Sequence, residues 1–347
     1  MKKLVGAVCI CLMACLNLQA AQVDTLLVRS ESMNKDIKIV AVRPDKAVKG
    51  EKCPVIYLLH GHGGQAKTWI DVRPDLPEIA DRDGIIFVCP DGNRDSWYWD
   101  SPLVPESRYE TFISKELIEY TDKNLNAIPD RSKRAITGLS MGGHGAMWNA
   151  IRHQDVFGAV GTTSGGMDIR PFPGSWGMKK YLGERDENLE VWNNHTVINQ
   201  LDRLKDGDLA IIIDCGVDDF FFGVNKAVHE RLLQQKVGHD FIARPGAHNG
   251  AYWKNSIGYQ IKFFKKFFEK ELQKSVSVCH AFLFSHTELT PTVPLIIKII
   301  LLDNSDATLT QAALTPVLFP PSDIGIMRNG IVAGFVDLLQ TLPTTRC

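Results

Sequence analysis

The stretch "RAITGLSMGGHGAMW" (residues 134–148) places a serine between glycines, directly after a short apolar run and directly before a segment of small and apolar residues. Its centre, residues 138–142, fits the pattern G-x-S-x-G, in which the glycines permit a strained turn from a strand into a helix. Such a turn lifts the serine hydroxyl above the sheet, so the pattern predicts Ser140 as a nucleophile at a helix N-terminus. In a chain with 28 glycines the pattern also arises by chance, and an ordinary turn serine is the alternative.

Apolar runs recur on both sides of this stretch, with helix-like segments between most of them. The runs are PVIYLLH (54–60), GIIFVCPD (84–91), RAITGLS (134–140), FGAVGTTSG (157–165), LAIIIDCG (209–216) and DFIARPG (240–246). Nearly continuous apolar strands separated by helices indicate an α/β fold with a mostly parallel sheet that is covered on both faces. Two earlier β-rich runs predict an N-terminal antiparallel pair. Apolar stripes predict helices over residues 110–125, 225–235 and 252–273.

The two ends of the chain differ from its middle. Residues 1–21 contain two lysines, then a short apolar run and then small residues. This is the layout of a signal peptide, and it predicts a secreted or periplasmic protein. The alternative is a lipid anchor at Cys15, in "LMAC"; the run is too short to predict a transmembrane span. Residues 22–274 then form the main domain. Residues 275–347, where the alternation of strands and helices stops, are predicted as a C-terminal extension without recognisable chemistry.

Composition narrows the range of partners. The 347 residues are 44% hydrophobic, enough for a large core, and the formal net charge is −1. A chain with balanced charges offers no electrostatic attraction to nucleic acid or to an anionic membrane. No pair of cysteines has the spacing of a metal site. We therefore expect no nucleic-acid partner and no metal, and small neutral or polar substrates remain open.

A nucleophilic serine needs a base within hydrogen-bond reach and a carboxylate that orients the base. After a G-x-S-x-G motif the acid follows the serine and the histidine comes last. His248 lies in the loop after the last predicted strand, where its side chain can reach over the carboxyl ends of the strands. Asp214, Asp218 and Asp219 are the candidate acids. Asp214 is still within its strand, and spacing alone does not separate the other two.

Acyl transfer at a serine also needs backbone N–H donors for the oxyanion. Met141, the residue after the serine, supplies one donor by its position. The second is expected from "LLHGHGG" (58–64), where the glycines let the backbone turn its amides inward, and His62 is the best placed residue. As an alternative, His60 and His62 form a metal-binding pair, but no third ligand is nearby.

Six motifs, taken in order, resemble the esterase D family of α/β-hydrolases, which includes S-formylglutathione hydrolases, feruloyl and acetyl xylan esterases and mycobacterial mycolyltransferases. They are YLLHGHGG, PDGNRDSWYWDSP, YETFISKELIEYTDKNL, AITGLSMGGHGAMW, IDCGVDDFF and PGAHNGAYW. The resemblance covers about residues 30–272, so the tail after Lys274 has no counterpart in it. It implies the α/β-hydrolase fold and a serine carboxylesterase that works without a cofactor.

The resemblance also implies a role for individual residues. The nucleophile of the family falls on Ser140 and its histidine on His248. Its acid falls on Asp219, which separates this residue from its neighbour. The oxyanion amides fall on His62 and Met141.

The substrate is predicted less directly. A secreted esterase meets esters outside the cytoplasm, which favours acetyl or feruloyl esters of carbohydrates, as small molecules or oligosaccharides. Trp97, Trp99 and Trp176 are expected to form an aromatic wall for a sugar ring or an aryl acid, unless they pack in the core. The alternatives are acyl transfer to a sugar or lipid alcohol, thioester hydrolysis of the S-formylglutathione type, and a non-catalytic carbohydrate-binding relative.

Overall fold

The computed structural model describes the backbone of residues 21–284 and the side chains of residues 21–270. Apart from residue 21, the predicted signal segment lies outside the described residues, and so does the candidate lipidation site Cys15. Of the predicted C-terminal extension, only residues 275–284 are described, as backbone. Within residues 21–284, no helix is both long enough and apolar enough to cross a membrane.

One eight-stranded sheet organises this part of the chain. Its strands are β1 (Gln22–Ser30), β2 (Lys35–Arg43), β3 (Val55–Leu59), β4 (Ile86–Pro90), β5 (Arg134–Gly138), β6 (Ala159–Thr163), β7 (Ala210–Gly216) and β8 (Asp240–Arg244). Their order across the sheet is β1-β2-β4-β3-β5-β6-β7-β8. β2 pairs antiparallel with β1 and β4, and all other neighbours pair parallel. The mostly parallel sheet and the antiparallel N-terminal pair confirm the predicted α/β class.

Helices connect most of the strands. They are α1 (Asp45–Val48), α2 (Thr68–Val72), α3 (Leu76–Asp83), α4 (Tyr109–Thr111), α5 (Leu117–Asn124), α6 (Met141–Arg152), α7 (Met178–Leu182), α8 (Leu189–Asn194), α9 (Phe222–Gln234) and α10 (Gly250–Phe284). A π-helical turn (Phe112–Glu116) joins α4 to α5, so the predicted helix over residues 110–125 is present in three parts. Helix α10 continues past the predicted end at residue 273, because the stretch that follows contains neither glycine nor proline to stop it.

Alternate residues of the central strands enter two apolar clusters on opposite faces of the sheet. In β3, Tyr57 and Leu59 join the cluster that contains residues of α5, α6 and α9. Ile56 and Leu58 join the cluster that contains residues of α3 and α10. All four side chains are fully buried. A strand buried on both faces is apolar at every position, which explains the continuous apolar runs in the sequence.

Candidate active site

The turn after β5 is a strained strand-to-helix connection. Ser140 adopts φ 55° and ψ −119°, a conformation that costs a non-glycine residue about 1–3 kcal/mol. The flanking glycines are required by close packing: a Cβ on Gly138 would lie 2.4 Å from the backbone of Gly142, and one on Gly142 would lie 2.2 Å from the carbonyl oxygen of Leu59. The N–H of Ser140 donates to the carbonyl of Thr163 at 2.9 Å. The turn therefore presents the Ser140 hydroxyl at the carboxyl edge of the sheet.

The loops after β7 and β8 bring an acid and a histidine to this hydroxyl. Nε2 of His248 lies 2.9 Å from Oγ of Ser140, and Nδ1 of His248 lies 3.0 and 2.9 Å from the two carboxylate oxygens of Asp219. Asp219 also accepts the N–H of Phe221 at 2.8 Å, and its side chain is fully buried. Because the carboxylate only accepts, Nδ1 of His248 carries the proton and Nε2 has a free lone pair for the serine hydroxyl.

The other candidate acids lie elsewhere. Asp218 is exposed, and it clamps the two loops together: its N–H donates to the carbonyl of Gly246 at 3.0 Å, and its carboxylate accepts the N–H of Gly246 at 3.4 Å. Asp214 is buried within β7 and contacts side chains other than His248. Of the three, only Asp219 reaches His248.

Two backbone N–H groups next to Ser140 are free to bind an oxyanion. In the described part of the chain, neither the N–H of His62 nor that of Met141 has a protein acceptor, whereas the N–H of Gly63 donates to the carbonyl of Arg94 at 2.8 Å. The loop of His62 packs directly on the serine, since a Cβ on Gly61 would lie 3.2 Å from the Cβ of Ser140. Unpaired amides beside a nucleophile are what stabilisation of a tetrahedral oxyanion requires.

Comparison with known proteins decides the family. A family model described as "Putative esterase" matches residues 30–263. The chain belongs to this esterase family. It is an ester hydrolase of the α/β-hydrolase fold, as the resemblance predicts.

Individual relatives of the esterase differ in their chemistry. An acetyl esterase of Caldicellulosiruptor saccharolyticus is 25% identical over 258 residues, which cover 68% of this chain and 96% of that protein. A diacylglycerol acyltransferase/mycolyltransferase of Mycobacterium leprae is 36% identical over 155 residues, which cover 42% of this chain and 44% of that protein. Among solved structures, a ferulic acid esterase matches with a TM-score of 0.62 at 28% identity, over 72% of this chain and 98% of that one.

His60 holds the loop of His62 in place, a role that the sequence did not reveal. Its Nδ1–H donates to the carbonyl of Gly61 at 2.8 Å, and its Nε2 accepts the N–H of Gly92 at 2.8 Å. The carbonyl of His60 accepts the hydroxyl of Tyr98 at 3.0 Å. Both ring nitrogens are occupied within the protein, so the alternative of a metal-binding pair with His62 does not fit this residue.

The prediction of an aromatic wall for the substrate is wrong for Trp97 and Trp99, because both are buried. Trp97 and Trp99 are 1% and 0% exposed and stack on each other, with ring centroids 5.6 Å apart. Nε1 of Trp99 donates to Nε2 of His144 at 2.9 Å, and Nδ1 of His144 donates to the carbonyl of Gly166 at 2.8 Å. Burial lowers the pKa of His144 to about 3, so this ring is neutral. Trp97 has a left-handed backbone, φ 54°, and the rings of Trp97 and Trp99 pack edge-on against His144 at centroid distances of 5.1 and 5.2 Å.

Trp176, the third member, is half-buried and stacks on Phe220, a residue that the sequence motifs did not indicate. Its ring lies 5.8 Å from that of Phe220, nearly parallel at 19°. Phe220 is 52% exposed, and its ring centroid lies 4.3 Å from that of His248. We call Trp176 and Phe220 the aromatic platform. The available signal was the apolar pair that directly follows the acid in "DDFF".

Proposed function

We propose that this esterase hydrolyses carboxylic esters through an acyl-enzyme formed on Ser140. The observation that carries the proposal is the continuous hydrogen-bonded chain from Ser140 through His248 to Asp219. The hydroxyl oxygen attacks the ester carbonyl while its proton passes to Nε2 of His248, and Asp219 stabilises the imidazolium that forms. The carbon–oxygen bond to the alcohol then breaks as the imidazolium returns this proton to the departing oxygen. Water then attacks the acyl-enzyme with the same proton transfers through His248, which releases the carboxylic acid and restores the Ser140 hydroxyl.

The amides of His62 and Met141 stabilise the tetrahedral oxyanion in both halves of the reaction. Both belong to backbone that is already held in place, one by the hydrogen bonds of His60 and the other by the start of α6. Donors that are fixed before the substrate arrives need no reorganisation at the transition state.

We further propose that the substrates are acetyl or feruloyl esters of carbohydrates met outside the cytoplasm. The matches to an acetyl esterase and a ferulic acid esterase support the acyl groups. The aromatic platform supports the planar feruloyl group in particular, because an exposed ring beside His248 offers it a stacking surface. The signal-peptide pattern of residues 1–21 supports secretion or export to the periplasm.

The experiment compares the esterase with its Ser140→Ala variant on p-nitrophenyl acetate, methyl ferulate, acetylated xylan and S-formylglutathione. We expect hydrolysis of at least one carbohydrate-type ester by the native chain and none by the variant. Labelling of the native chain, but not of Ser140→Ala, by a fluorophosphonate probe identifies the nucleophile. Near-native turnover in the variant would contradict the proposal, and S-formylglutathione as the preferred substrate would contradict the carbohydrate assignment.

Acyl transfer is a second candidate, favoured by the match to the mycolyltransferase. In that reaction an alcohol replaces water in the second half of the cycle, and the same residues serve. Product analysis with and without a sugar acceptor separates the two: a transferase yields the acylated acceptor, and a hydrolase yields the free acid in both cases.

A further inference from the structure

Asp214 is a buried carboxylate that the mechanism above does not use. It lies in β7 with 0% of its surface exposed. The hydroxyl of Tyr252 donates to its Oδ1 at 2.6 Å, and the guanidinium of Arg244 donates to its Oδ2. Burial raises the pKa of this carboxyl, and the hydrogen bonds from Tyr252, Ser256 and Arg244 together with the charge of Arg244 oppose the rise. An ion pair inside a protein is costly to desolvate, so its presence here calls for a reason.

Two of the side chains that bind Asp214, those of Arg244 and Tyr252, flank the loop that carries His248. Arg244 is the last residue of β8, and Tyr252 lies in the first turn of α10, so the loop of residues 245–249 begins and ends beside side chains bound to one carboxylate. The guanidinium of Arg244 also lies 5.2 Å from the ring centroid of Tyr252, at cation–π distance. Asp214, Arg244 and Tyr252 thus contact one another, and Arg244 and Tyr252 lie at the two ends of the loop.

The ring of Tyr252 contacts the loop itself. A Cβ on Gly246 would lie 2.2 Å from Cδ2 of Tyr252, and Gly246 has φ 149°, so this position is open to glycine alone. The N–H of Tyr252 donates to the side-chain oxygen of Asn249 at 3.1 Å. Tyr252 therefore packs against the loop at Gly246, two residues before His248, and donates a hydrogen bond to Asn249, one residue after His248.

We propose that Asp214 is a positioning residue: through Tyr252 and Arg244 it fixes both ends of the loop that places His248 between Ser140 and Asp219. The proposal rests on the proposed function, because it assigns His248 the role of base. Proton transfer depends steeply on geometry, and a displacement of about 1 Å can cost about 10²-fold in rate. A buried charge that holds two chain segments at once restricts such displacement.

The test uses Tyr252→Phe, which removes one hydroxyl and leaves the ring packed on Gly246, together with Asp214→Asn. With p-nitrophenyl acetate we expect kcat to fall at least about tenfold, since a looser loop misplaces the base. KM should stay within about twofold, since the substrate contacts are untouched. The acid limb of the pH profile of kcat should move to lower pH, because an imidazolium held less well by Asp219 loses its proton more readily.

Glu110→Gln is the matched control. Glu110 is another buried carboxylate, and it accepts from Trp148 and Arg152 at 2.8 Å and contacts His153 at 2.9 Å. We expect this variant to lower Tm without changing kcat or the acid limb.

The outcomes separate three cases. If Tyr252→Phe lowers Tm as the control does but keeps native kcat and the native acid limb, Asp214 is only structural and the proposal is overturned. Should Asp214→Asn fail to fold, Tyr252→Phe still decides. A native chain that neither hydrolyses esters nor reacts with fluorophosphonate refutes the proposed function instead.

Discussion

Replacing Asp219 by asparagine tests the acid, with Asp218→Asn as the neighbouring control. Both carboxylate oxygens of Asp219 lie within 3.0 Å of Nδ1 of His248. The replacement keeps the size of the side chain and removes its charge. An amide N–H turned toward Nδ1 also favours the tautomer that carries its proton on Nε2, and that tautomer cannot accept the proton of Ser140.

The expected losses of kcat in Asp219→Asn and Asp218→Asn differ by orders of magnitude. The equivalent replacement in serine proteases costs about 10⁴-fold in kcat, or about 5.4 kcal/mol of transition-state stabilisation. Asp218 is exposed, and its side chain makes one long hydrogen bond, 3.4 Å from the N–H of Gly246, which an asparagine oxygen can still accept. Its replacement should therefore cost less than about threefold in kcat.

The assay is steady-state hydrolysis of p-nitrophenyl acetate by the two variants and the native chain at one pH, with Tm measured in parallel. Equal losses in the two variants would refute the assignment of Asp219. A loss below about tenfold in Asp219→Asn with an unchanged Tm would refute the claim that this carboxylate fixes the tautomer of His248.

Two further predictions concern the platform and the buried core. Phe220→Ala should raise KM for methyl ferulate about tenfold and change that for p-nitrophenyl acetate much less, because the acyl group of methyl ferulate is aromatic and can stack on the exposed ring, whereas the acyl group of p-nitrophenyl acetate is only acetyl. The control is Leu189→Ala, because Leu189 is an apolar residue that is 57% exposed, and this variant should change KM for neither ester. Equal rises of KM for both esters in Phe220→Ala would exclude a stacking role. His144 has a pKa of about 3 in the folded chain, below that of the unfolded chain. The unfolded state binds the proton more readily, so the free energy of unfolding should fall by about 2 kcal/mol on this account between pH 7 and pH 5. Urea unfolding at the two pH values should show a smaller fall in His144→Asn, and an equal fall would remove His144 as the cause.

The sequence predicts what depends on the backbone. Apolar runs show which strands are buried on both faces, and G-x-S-x-G places Ser140 at the sheet edge because only glycines fit the close approach of α6 to β3. The loop of His248 follows from its place after the last strand. Each of these features is local to a few consecutive residues, so each is visible in the sequence.

Side-chain direction was harder to predict. Asp218 and Asp219 share one turn, and what separates them is the pairing of Asp218 with Gly246, which turns its carboxylate outward. Spacing along the chain contains no information on that contact. Likewise, nothing in the neighbouring sequence shows that Trp99 is buried and donates its indole N–H to His144, 45 residues further along the chain.

The hydrogen bonds of His60 have a consequence for how the specificity of this esterase can evolve. Both ring nitrogens are engaged within the protein, so the loop of His62, which we propose binds the oxyanion, is held in one conformation before any ester arrives. In the proposed mechanism every ester carbonyl meets the same two amides, and we propose that the exposed ring of Phe220 contributes to discrimination among acyl groups. The amides that we propose bind the oxyanion and the ring of Phe220 thus lie on different segments of the chain, and that ring also lies 4.3 Å from the ring of His248. A substitution of Phe220 should therefore change the preference among acyl groups while the amides of His62 and Met141 keep their positions.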